Sequence, residues 1–381
     1  MYKICFITGT RADYGIMAPL MQALAAREEI ELQVIATNMH LSPAHGMTVN
    51  EIIADGLPVS RRVDSLLSGD SPGATVKSMG LTQIGIADAF AGLKPDLAVI
   101  LGDRYEMLAA ASAALIFRIP VAHLYGGETT EGAYDDAIRH AITQLATYHL
   151  TSTEQYAERV RSMGAKPENV YHIGSLGADN IMNEDFLPLS ELEETLGEKL
   201  GERFIVATFH PVTTQPGEEE RQTKALLAAL DRKIAEGWKV LFTMPNSDTG
   251  GQTVARLIRE WAALHPHEVI AVASLGRRRF YSAMHNAAAM VGNSSSGLIE
   301  APAFGIPTLN IGDRQKGRAR GASVVDVASD EKSISEGLDK VLSDEFRSFA
   351  RTAPNPYYKP DALAGVIEIF KAIAQSESPR K

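Results

Sequence analysis

Cysteine is almost missing from this sequence: the 381 residues contain one, Cys5. One cysteine cannot form an internal disulfide, and a cysteine-based zinc site needs several such ligands. Long apolar runs are missing too, since no stretch reaches the 18 or more apolar residues of a membrane-spanning helix. The apolar run at the N-terminus is too short for the hydrophobic region of a signal peptide. We therefore expect a cytoplasmic protein with no membrane partner.

An excess of positive charge is also missing. Lysine and arginine number 37 against 47 aspartate and glutamate residues, which gives a net charge of −10. Nucleic acids and anionic membranes are bound through clustered basic residues, so neither is expected as a partner. A small phosphate-bearing molecule needs only a few local cations and remains compatible with this charge.

The remaining composition is that of a soluble globular protein, with 45% hydrophobic and 22% charged residues. A chain of this length is typical of two domains. In the first half, short β-rich runs alternate with helical patterns: strands at 3–8, 31–37, 97–101, 121–124 and 148–151, and helices at 14–27, 80–93, 105–117 and 134–146. The second half repeats the rhythm: strands at 204–208, 239–242, 269–272, 290–292 and 308–311, and helices at 218–236, 252–264, 279–287 and 297–304.

This alternation predicts an α/β protein with two Rossmann-like, doubly wound domains and a ligand cleft between them. We expect an N-terminal domain over residues 1–178 and a C-terminal domain over 179–360. The segment 180–201 has no strand pattern and is interpreted as the linker region. A final helix within residues 361–381 is expected to pack back on the N-terminal domain.

The first polar motif, Gly-Thr-Arg-Ala-Asp-Tyr-Gly, begins at Gly9, directly after a predicted strand. A glycine turn that leads into a helix places backbone N–H groups and Arg11 at a possible anion site. The alternative is a plain turn in which Asp13 caps the helix. The glycine spacing differs from that of a nicotinamide dinucleotide fold.

The second motif, Gly-Asp-Arg, places Asp103 and Arg104 at the end of another strand. A carboxylate beside an arginine can stay ionised and act as a base. Alternatively, Asp103 only caps the next helix and pairs with Arg104.

Two glycines and four carboxylates follow the strand at 121–124. The carboxylates are those of Glu128, Glu131, Asp135 and Asp136. Glycines allow a close backbone approach to a ligand. Any single carboxylate of such a loop is usually solvated, but their density predicts that one is functional. Arg139, on the following helix, could neutralise one of them.

The second half carries its own polar strand ends. His210, followed by proline, is favoured as a ligand contact. Ser294, Ser295 and Ser296 open a predicted helix, where hydroxyls, N–H groups and the helix dipole suit a diphosphate. One serine would suffice for a cap. Glu300, one turn further, could accept ribose hydroxyls. Arg314 lies in a short basic cluster that could equally be solvated surface.

Taken in order, these motifs resemble the hydrolysing UDP-N-acetylglucosamine 2-epimerases of sialic acid biosynthesis, over essentially the whole chain. The resemblance implies two domains arranged as in B-type glycosyltransferases. It implies a UDP-amino sugar as substrate, N-acetylmannosamine and UDP as products, and a homodimer or homotetramer. Neither a cofactor nor a metal is implied.

The resemblance also implies roles for particular residues. The residues implied in UDP binding are Arg11, Arg104, His210, Asn246, Leu275, Phe280, Ser294, Ser295, Ser296, Glu300 and Arg314. The residues implied in catalysis are Asp103, Glu128, Glu131, Asp135, Asp136, Arg11 and His210.

One position departs from the pattern. Some relatives carry a carboxylate where this chain has Tyr125, so either Glu128 takes over its duty or the acid and base roles are divided differently. A UDP-linked 2,4-diacetamido-trideoxy sugar is the alternative substrate. A B-type glycosyltransferase and a non-catalytic nucleotide-sugar binding protein are the alternative functions.

Overall fold

The computed structural model describes residues 1–69, 71–182, 185–246 and 248–377. The chain forms two compact units, each built on one parallel sheet with helices between the strands. The first unit comprises Met1–Glu128, Asp135–Asn180 and the described chain from Tyr357 onward. The second comprises Thr129–Tyr134 and Ile181–Pro356. This confirms the predicted α/β fold class with two doubly wound sheets.

The first unit contains a seven-stranded sheet in the order β3-β2-β1-β4-β5-β6-β7. Its strands are β1 (Tyr2–Thr8), β2 (Ile30–Thr37), β3 (Arg61–Val63), β4 (Leu97–Leu101), β5 (Val121–Leu124), β6 (Tyr148–Thr151) and β7 (Val170–His172). Its helices are α1 (Arg11–Ala25), α2 (Val49–Ala54), α3 (Pro72–Leu93), α4 (Tyr105–Phe117), α5 (Asp135–Leu145), α6 (Glu154–Ser162) and, at the unit boundary, α7 (Leu176–Met182). The strand order reverses between β1 and β4, which are hydrogen-bonded neighbours.

The second unit contains a six-stranded sheet in the order β10-β9-β8-β11-β12-β13. Its strands are β8 (Phe204–Thr208), β9 (Lys239–Thr243), β10 (Val269–Val272), β11 (Ala289–Gly292), β12 (Thr308–Ile311) and β13 (Val324–Val327). Its helices are α8 (Leu189–Leu196), α9 (Glu219–Ala235), α10 (Gly251–Leu264), α11 (Gly276–Asn286), α12 (Ser296–Ile299), α13 (Glu331–Val341) and α14 (Asp344–Ala350). Here the order reverses between β8 and β11.

Helices cover both faces of each sheet, so the central strands are buried on both sides and are continuously apolar. In β1, for example, Ile4 and Phe6 belong to one core cluster and Ile7 to another, and all three are fully buried. The last helix, α15 (Ala362–Glu377), adds Val366 and Phe370 to the cluster around Phe6 and packs against α1. Residues 378–381 of the predicted C-terminal segment lie outside the described residues.

The segment interpreted as the linker region, 180–201, contains helix α8 and no strand among its described residues; residues 183 and 184 lie outside them. One helix prediction in the second half needs correction. The expected helix at 297–304 is only the four-residue α12, followed by a 3-10 turn over Ala301–Phe304. Pro302 cannot donate a backbone hydrogen bond, and Gly305, at φ +68°, ends the turn in the left-handed region.

Within the described part of the chain, no helix combines the length and the apolar character that crossing a membrane requires.

Candidate active site

In each sheet, the point where the strand order reverses brings predicted motifs together. In open parallel sheets, ligands bind beyond the carboxyl ends of the strands where the strand order reverses. Arg11, the first residue of α1, and Asp103 follow β1 and β4, whereas His210 and Ser294 follow β8 and β11. Each unit therefore has one candidate site, which we describe separately.

The loop after β1 is organised by a buried carboxylate. Thr10, not Asp13, is the N-cap of α1, and its hydroxyl accepts a hydrogen bond from the Asp13 backbone N–H. The Asp13 carboxylate in turn accepts from Thr8 Oγ1 at 2.6 Å, Gly9 N at 3.0 Å and Thr10 N at 3.1 Å. The alternative in which Asp13 is the N-cap is therefore wrong; Asp13 completes a capping box with Thr10. Burial lowers the pKa of Arg11 to about 10, so its charge persists at neutral pH.

Asp103 is paired with Arg139 rather than with Arg104. Nη2 of Arg139 hydrogen-bonds to Oδ2 of Asp103, and Nη1 donates to the carbonyl oxygen of Glu128 at 2.9 Å. The same Nη1 lies 3.6 Å from Oδ1 of Asp136. Arg104 pairs instead with Glu106 and occupies the N-cap position of α4. The alternative in which Asp103 caps that helix and pairs with Arg104 is therefore wrong.

The four loop carboxylates occupy different environments. Glu128 is fully buried, and Ser152 Oγ donates to its Oε1 at 2.5 Å. Asp135 is 8% exposed, whereas the side chain of Asp136 keeps 26% of its exposure and that of Asp103 keeps 23%. The arginine-bound pair, Asp103 and Asp136, is therefore more accessible to a substrate than Glu128 or Asp135.

Glu131 belongs to the second unit, because residues Thr129–Tyr134 pack there. Its backbone N–H donates to the Lys316 carbonyl at 3.0 Å, and its half-exposed carboxylate lies 3.6 Å from Lys316 Nζ. A Cβ at Gly132 would collide with the backbone of Asp313, so this close approach requires glycine.

The side chain of Tyr125 is buried and hydrogen-bonded within the first unit. Its backbone lies in the left-handed region at φ +66°, an unusual conformation for a bulky residue. The side chain is 4% exposed, and its hydroxyl lies 3.2 Å from Ser175 Oγ. In β5, the strand before Tyr125, His123 hydrogen-bonds through Nε2 to the carbonyl oxygen of Gly102 at 2.7 Å. Burial lowers the pKa of His123 to about 4. His123 therefore fixes the backbone just before Asp103 as a neutral donor.

In the second unit, Asn293 connects the candidate ligand residues. The backbone N–H of His210 donates to Asn293 Oδ1 at 2.7 Å, and Asn293 Nδ2 donates to the His210 carbonyl at 2.8 Å. Arg314 Nη1 reaches the Asn293 carbonyl at 3.2 Å. The Asn246 N–H donates to His210 Nδ1 at 3.2 Å, which makes that nitrogen an acceptor. His210, Asn246 and Arg314 are thus gathered at the carboxyl ends of β8, β9 and β12.

The serine run differs from the prediction. Ser294, Ser295 and Ser296 are half-buried, and Ser295 occupies the N-cap position of α12 without a side-chain capping bond. Because α12 has only four residues, the predicted helix dipole contributes little there. The hydroxyls and backbone N–H groups of the run remain as candidate anion ligands. A Cβ at Gly292 would collide with the Thr208 carbonyl, which explains the glycine before this run.

The three remaining residues implied in UDP binding differ in burial. Glu300, the C-cap of α12, is 4% exposed. Leu275 is 2% exposed in an apolar cluster, whereas Phe280 is only partly buried against that cluster. Of these two implied UDP-binding residues, Phe280 has the more accessible side chain.

Sequence reasoning missed three residues that organise these sites. Glu106 lies two residues after the Gly-Asp-Arg motif and Asn293 lies directly before the serine run, but nothing marked them apart from their neighbours. Asp248 lies 3.6 Å from Arg314 Nη2 and has no motif of its own. Among the described residues, no group of three or more His, Cys, Asp and Glu side chains is arranged to hold a metal ion.

Comparison with known proteins assigns this chain to a family. The family described as UDP-N-acetylglucosamine 2-epimerase matches residues 22–371. The chain belongs to this family. As a member of the UDP-N-acetylglucosamine 2-epimerase family, it is an epimerase that acts on a nucleotide-linked sugar.

Two relatives illustrate the range of this epimerase family. A Campylobacter jejuni protein described as GDP/UDP-N,N'-diacetylbacillosamine 2-epimerase (hydrolyzing) is 38% identical over 91% of this chain and 88% of its own length. An Escherichia coli protein described as polysialic acid biosynthesis protein P7 is 36% identical over 99% of this chain and 96% of its own.

The fold is shared with solved members of the same epimerase family. The Methanocaldococcus jannaschii UDP-GlcNAc 2-epimerase, crystallised in complex with UDP-GlcNAc and UDP, superposes with a TM-score of 0.80. The match covers 97% of this chain and 99% of that one, at 17% sequence identity. At that identity the likeness concerns the fold alone.

Proposed function

We propose that this protein is a hydrolysing 2-epimerase of a UDP-linked 2-acetamido sugar, which releases UDP and the free sugar with inverted carbon 2. The observation that carries the proposal is the carboxylate pair Asp103 and Asp136 around the buried guanidinium of Arg139. Such a pair can provide one general base and one general acid. The name of the Campylobacter relative agrees with this chemistry.

The second unit would hold the nucleotide. Arg314, the serine run and His210 provide cationic and N–H or O–H donors around one point of the sheet edge, as a diphosphate requires. Their mutual hydrogen bonds through Asn293 fix this arrangement before any ligand arrives. Asn246 and Phe280 would contribute to the same nucleotide site. The carboxylate of Glu300 would accept hydrogen bonds from the ribose hydroxyls.

The first step would be an anti elimination. The hydrogen on carbon 2 is not acidic, because no carbonyl adjoins that carbon within the ring. It becomes removable as the bond from carbon 1 to the UDP oxygen breaks and UDP departs with the electron pair. In an α-linked gluco sugar the two bonds are trans-diaxial, which suits this elimination. The products are UDP, a 2-acetamidoglucal and a protonated base.

The second step would be hydration of the glycal. A proton adds to carbon 2 from the face opposite the one that lost it, and water oxygen adds to carbon 1. The sum is one UDP-sugar plus one water, giving UDP and the free manno-configured sugar. Asp103 is proposed as the base. Arg314 of the second unit would stabilise the departing diphosphate, since charge develops there in the transition state.

Two substrates have support. UDP-N-acetylglucosamine, leading to N-acetylmannosamine for sialic-acid-type synthesis, agrees with the polysialic acid relative, which aligns over nearly the entire chain. A UDP-2,4-diacetamido-2,4,6-trideoxy hexose agrees with the name of the Campylobacter relative.

The two substrates are separated by incubating the purified protein with each nucleotide sugar and quantifying UDP and free sugar by chromatography. The proposal requires UDP and a free C2-inverted sugar in equal amounts from one of them. A sugar transferred to an added acceptor would indicate a glycosyltransferase. Binding without UDP release would indicate a non-catalytic binding protein.

We also propose a homo-oligomer, formed through helices α3 and α4. These two packed helices expose Val76, Leu81 and Ile84 from α3 and Leu115, Ile116 and Phe117 from α4. Large apolar side chains exposed on two packed helices suit a protein interface.

A further inference from the structure

Glu106 is a charged side chain that the mechanism above does not use, yet it is fully buried beside the candidate site of the first unit. It lies in the first turn of α4, three residues after Asp103. Burying a carboxylate is costly unless hydrogen bonds or an opposite charge offset the loss of water. The groups that contact the Glu106 carboxylate therefore indicate its role.

The main contact of Glu106 is with Arg104. Nε of Arg104 donates to Oε1 of Glu106 at 2.6 Å, and the Arg104 side chain is 13% exposed. Among the described residues, no group forms a hydrogen bond with the other oxygen, Oε2. The guanidinium is therefore the group that Glu106 holds.

A neighbouring glycine leaves room for the Glu106 carboxylate. A Cβ at Gly9 would lie 2.5 Å from Glu106 Oε1, so the glycine after β1 leaves the space that the carboxylate fills. Asp13, the other buried carboxylate here, takes its hydrogen bonds from the loop after β1. Burial raises the pKa of Glu106, and the charge of Arg104 opposes that rise.

We propose that Glu106 is a positioning residue that holds the guanidinium of Arg104 in the orientation in which it meets the anionic substrate. An arginine side chain has several rotatable bonds, and a fixed Nε sets the plane of its donor fork. The substrate contact of Arg104 rests on the proposed function; the hold that Glu106 exerts on Arg104 does not.

A double-mutant cycle tests whether Glu106 acts through Arg104. The variants are Glu106→Leu, Arg104→Met and the double variant, with Glu106→Gln as the conservative change that keeps an acceptor at Oε1. A misplacement of about 1 Å can cost about 10²-fold in rate. We expect a loss of kcat/KM of that order in Glu106→Leu and in Arg104→Met, with no further loss in the double variant. Glu106→Gln is expected to lose less than about 10-fold, because it retains the acceptor.

The result that overturns the proposal is additivity: a loss in the double variant equal to the product of the two single losses. Affinity for UDP alone, measured by calorimetry, is expected to fall no further in Glu106→Leu and in the double variant than in Arg104→Met, because Glu106 acts through that guanidinium. A larger loss of UDP affinity in Glu106→Leu than in Arg104→Met would mean that Glu106 supports the fold generally, and this too would overturn the proposal.

A measurement without substrate separates this proposal from the proposed function. In ¹⁵N-arginine NMR, the Nε–H of Arg104 should be protected from exchange in the parent protein and in Glu106→Gln, and unprotected in Glu106→Leu. If no nucleotide sugar is turned over, the proposed function fails, and this resonance still decides the role of Glu106. Equal protection in the parent and in Glu106→Leu would overturn it.

Discussion

The side-chain amide of Asn293 binds both the backbone N–H and the backbone carbonyl of His210, at 2.7 and 2.8 Å. The carbonyl of Asn293 itself accepts from Arg314 and Gln315. One fully buried residue thus fixes the ends of β8, β11 and β12 relative to one another. The proposed diphosphate site depends on this spacing.

Replacing Asn293 by alanine should weaken UDP binding. The change removes both bonds to His210, and each buried polar group left without a partner costs about 1–3 kcal/mol. We expect UDP affinity, measured by isothermal titration calorimetry, to fall by about 10-fold or more. Asn310→Ala is the matched control, since Asn310 is buried in the same sheet and donates to Asp326 at 2.7 Å. Equal losses of UDP affinity in both variants would contradict the role of Asn293.

Replacing Asp103 by asparagine should abolish turnover and leave UDP binding nearly intact. Asparagine retains the shape of aspartate but cannot act as a general base, a function worth about 10²–10⁴ in rate. Turnover is measured as UDP release and binding by calorimetry. Asp344→Asn, on an exposed surface of the second unit, is the control. Loss of UDP binding together with turnover would mean that Asp103 is structural.

The sequence predicted the central strands well and the assembly of the sites only in part. Strands β4, β5 and β6 begin and end as predicted, because buried parallel strands are short apolar runs bounded by polar residues. The edge strands β3, β7 and β13 were missed, since they are short and partly polar. The pairing of Asp103 with Arg139 was not predictable, because 36 residues separate them and Arg104 is the nearer partner in sequence. The packing of Thr129–Tyr134 in the second unit left no local signal either.

Acid should destabilise the first unit partly through His123. Burial lowers its pKa to about 4 in the folded protein, below the ordinary value of 6.5. A histidine with a lowered folded pKa contributes stability above pH 6.5, which is lost as the pH falls towards 4. A shift of this size corresponds to roughly 3 kcal/mol.

The measurement is the free energy of unfolding against pH in the parent, His123→Gln and the exposed control His267→Gln. Between pH 6.5 and 4, the free energy of unfolding should fall less steeply in His123→Gln than in the parent, and His267→Gln should behave like the parent. An unchanged slope in that variant would show that His123 titrates normally in the folded state.

A charge on the apolar surface of α3 and α4 should dissociate the proposed oligomer. Ile84 and Ile116 are 66% and 78% exposed, so glutamate at either position would not disturb the core but would oppose burial in an interface. Light scattering should give an oligomer for the parent and a monomer for Ile84→Glu and Ile116→Glu. Leu264→Glu, at a 76% exposed position of the second unit, should remain oligomeric. A monomeric parent would refute the proposal.

The most direct test of the proposed reaction is proton NMR of the protein with UDP-N-acetylglucosamine, and then with the diacetamido sugar, in deuterated water. Elimination followed by hydration must place a solvent-derived atom on carbon 2. We predict free C2-inverted sugar carrying deuterium at that carbon, together with UDP. Inverted sugar that keeps its original hydrogen at carbon 2, or UDP release with unchanged configuration, would contradict the mechanism.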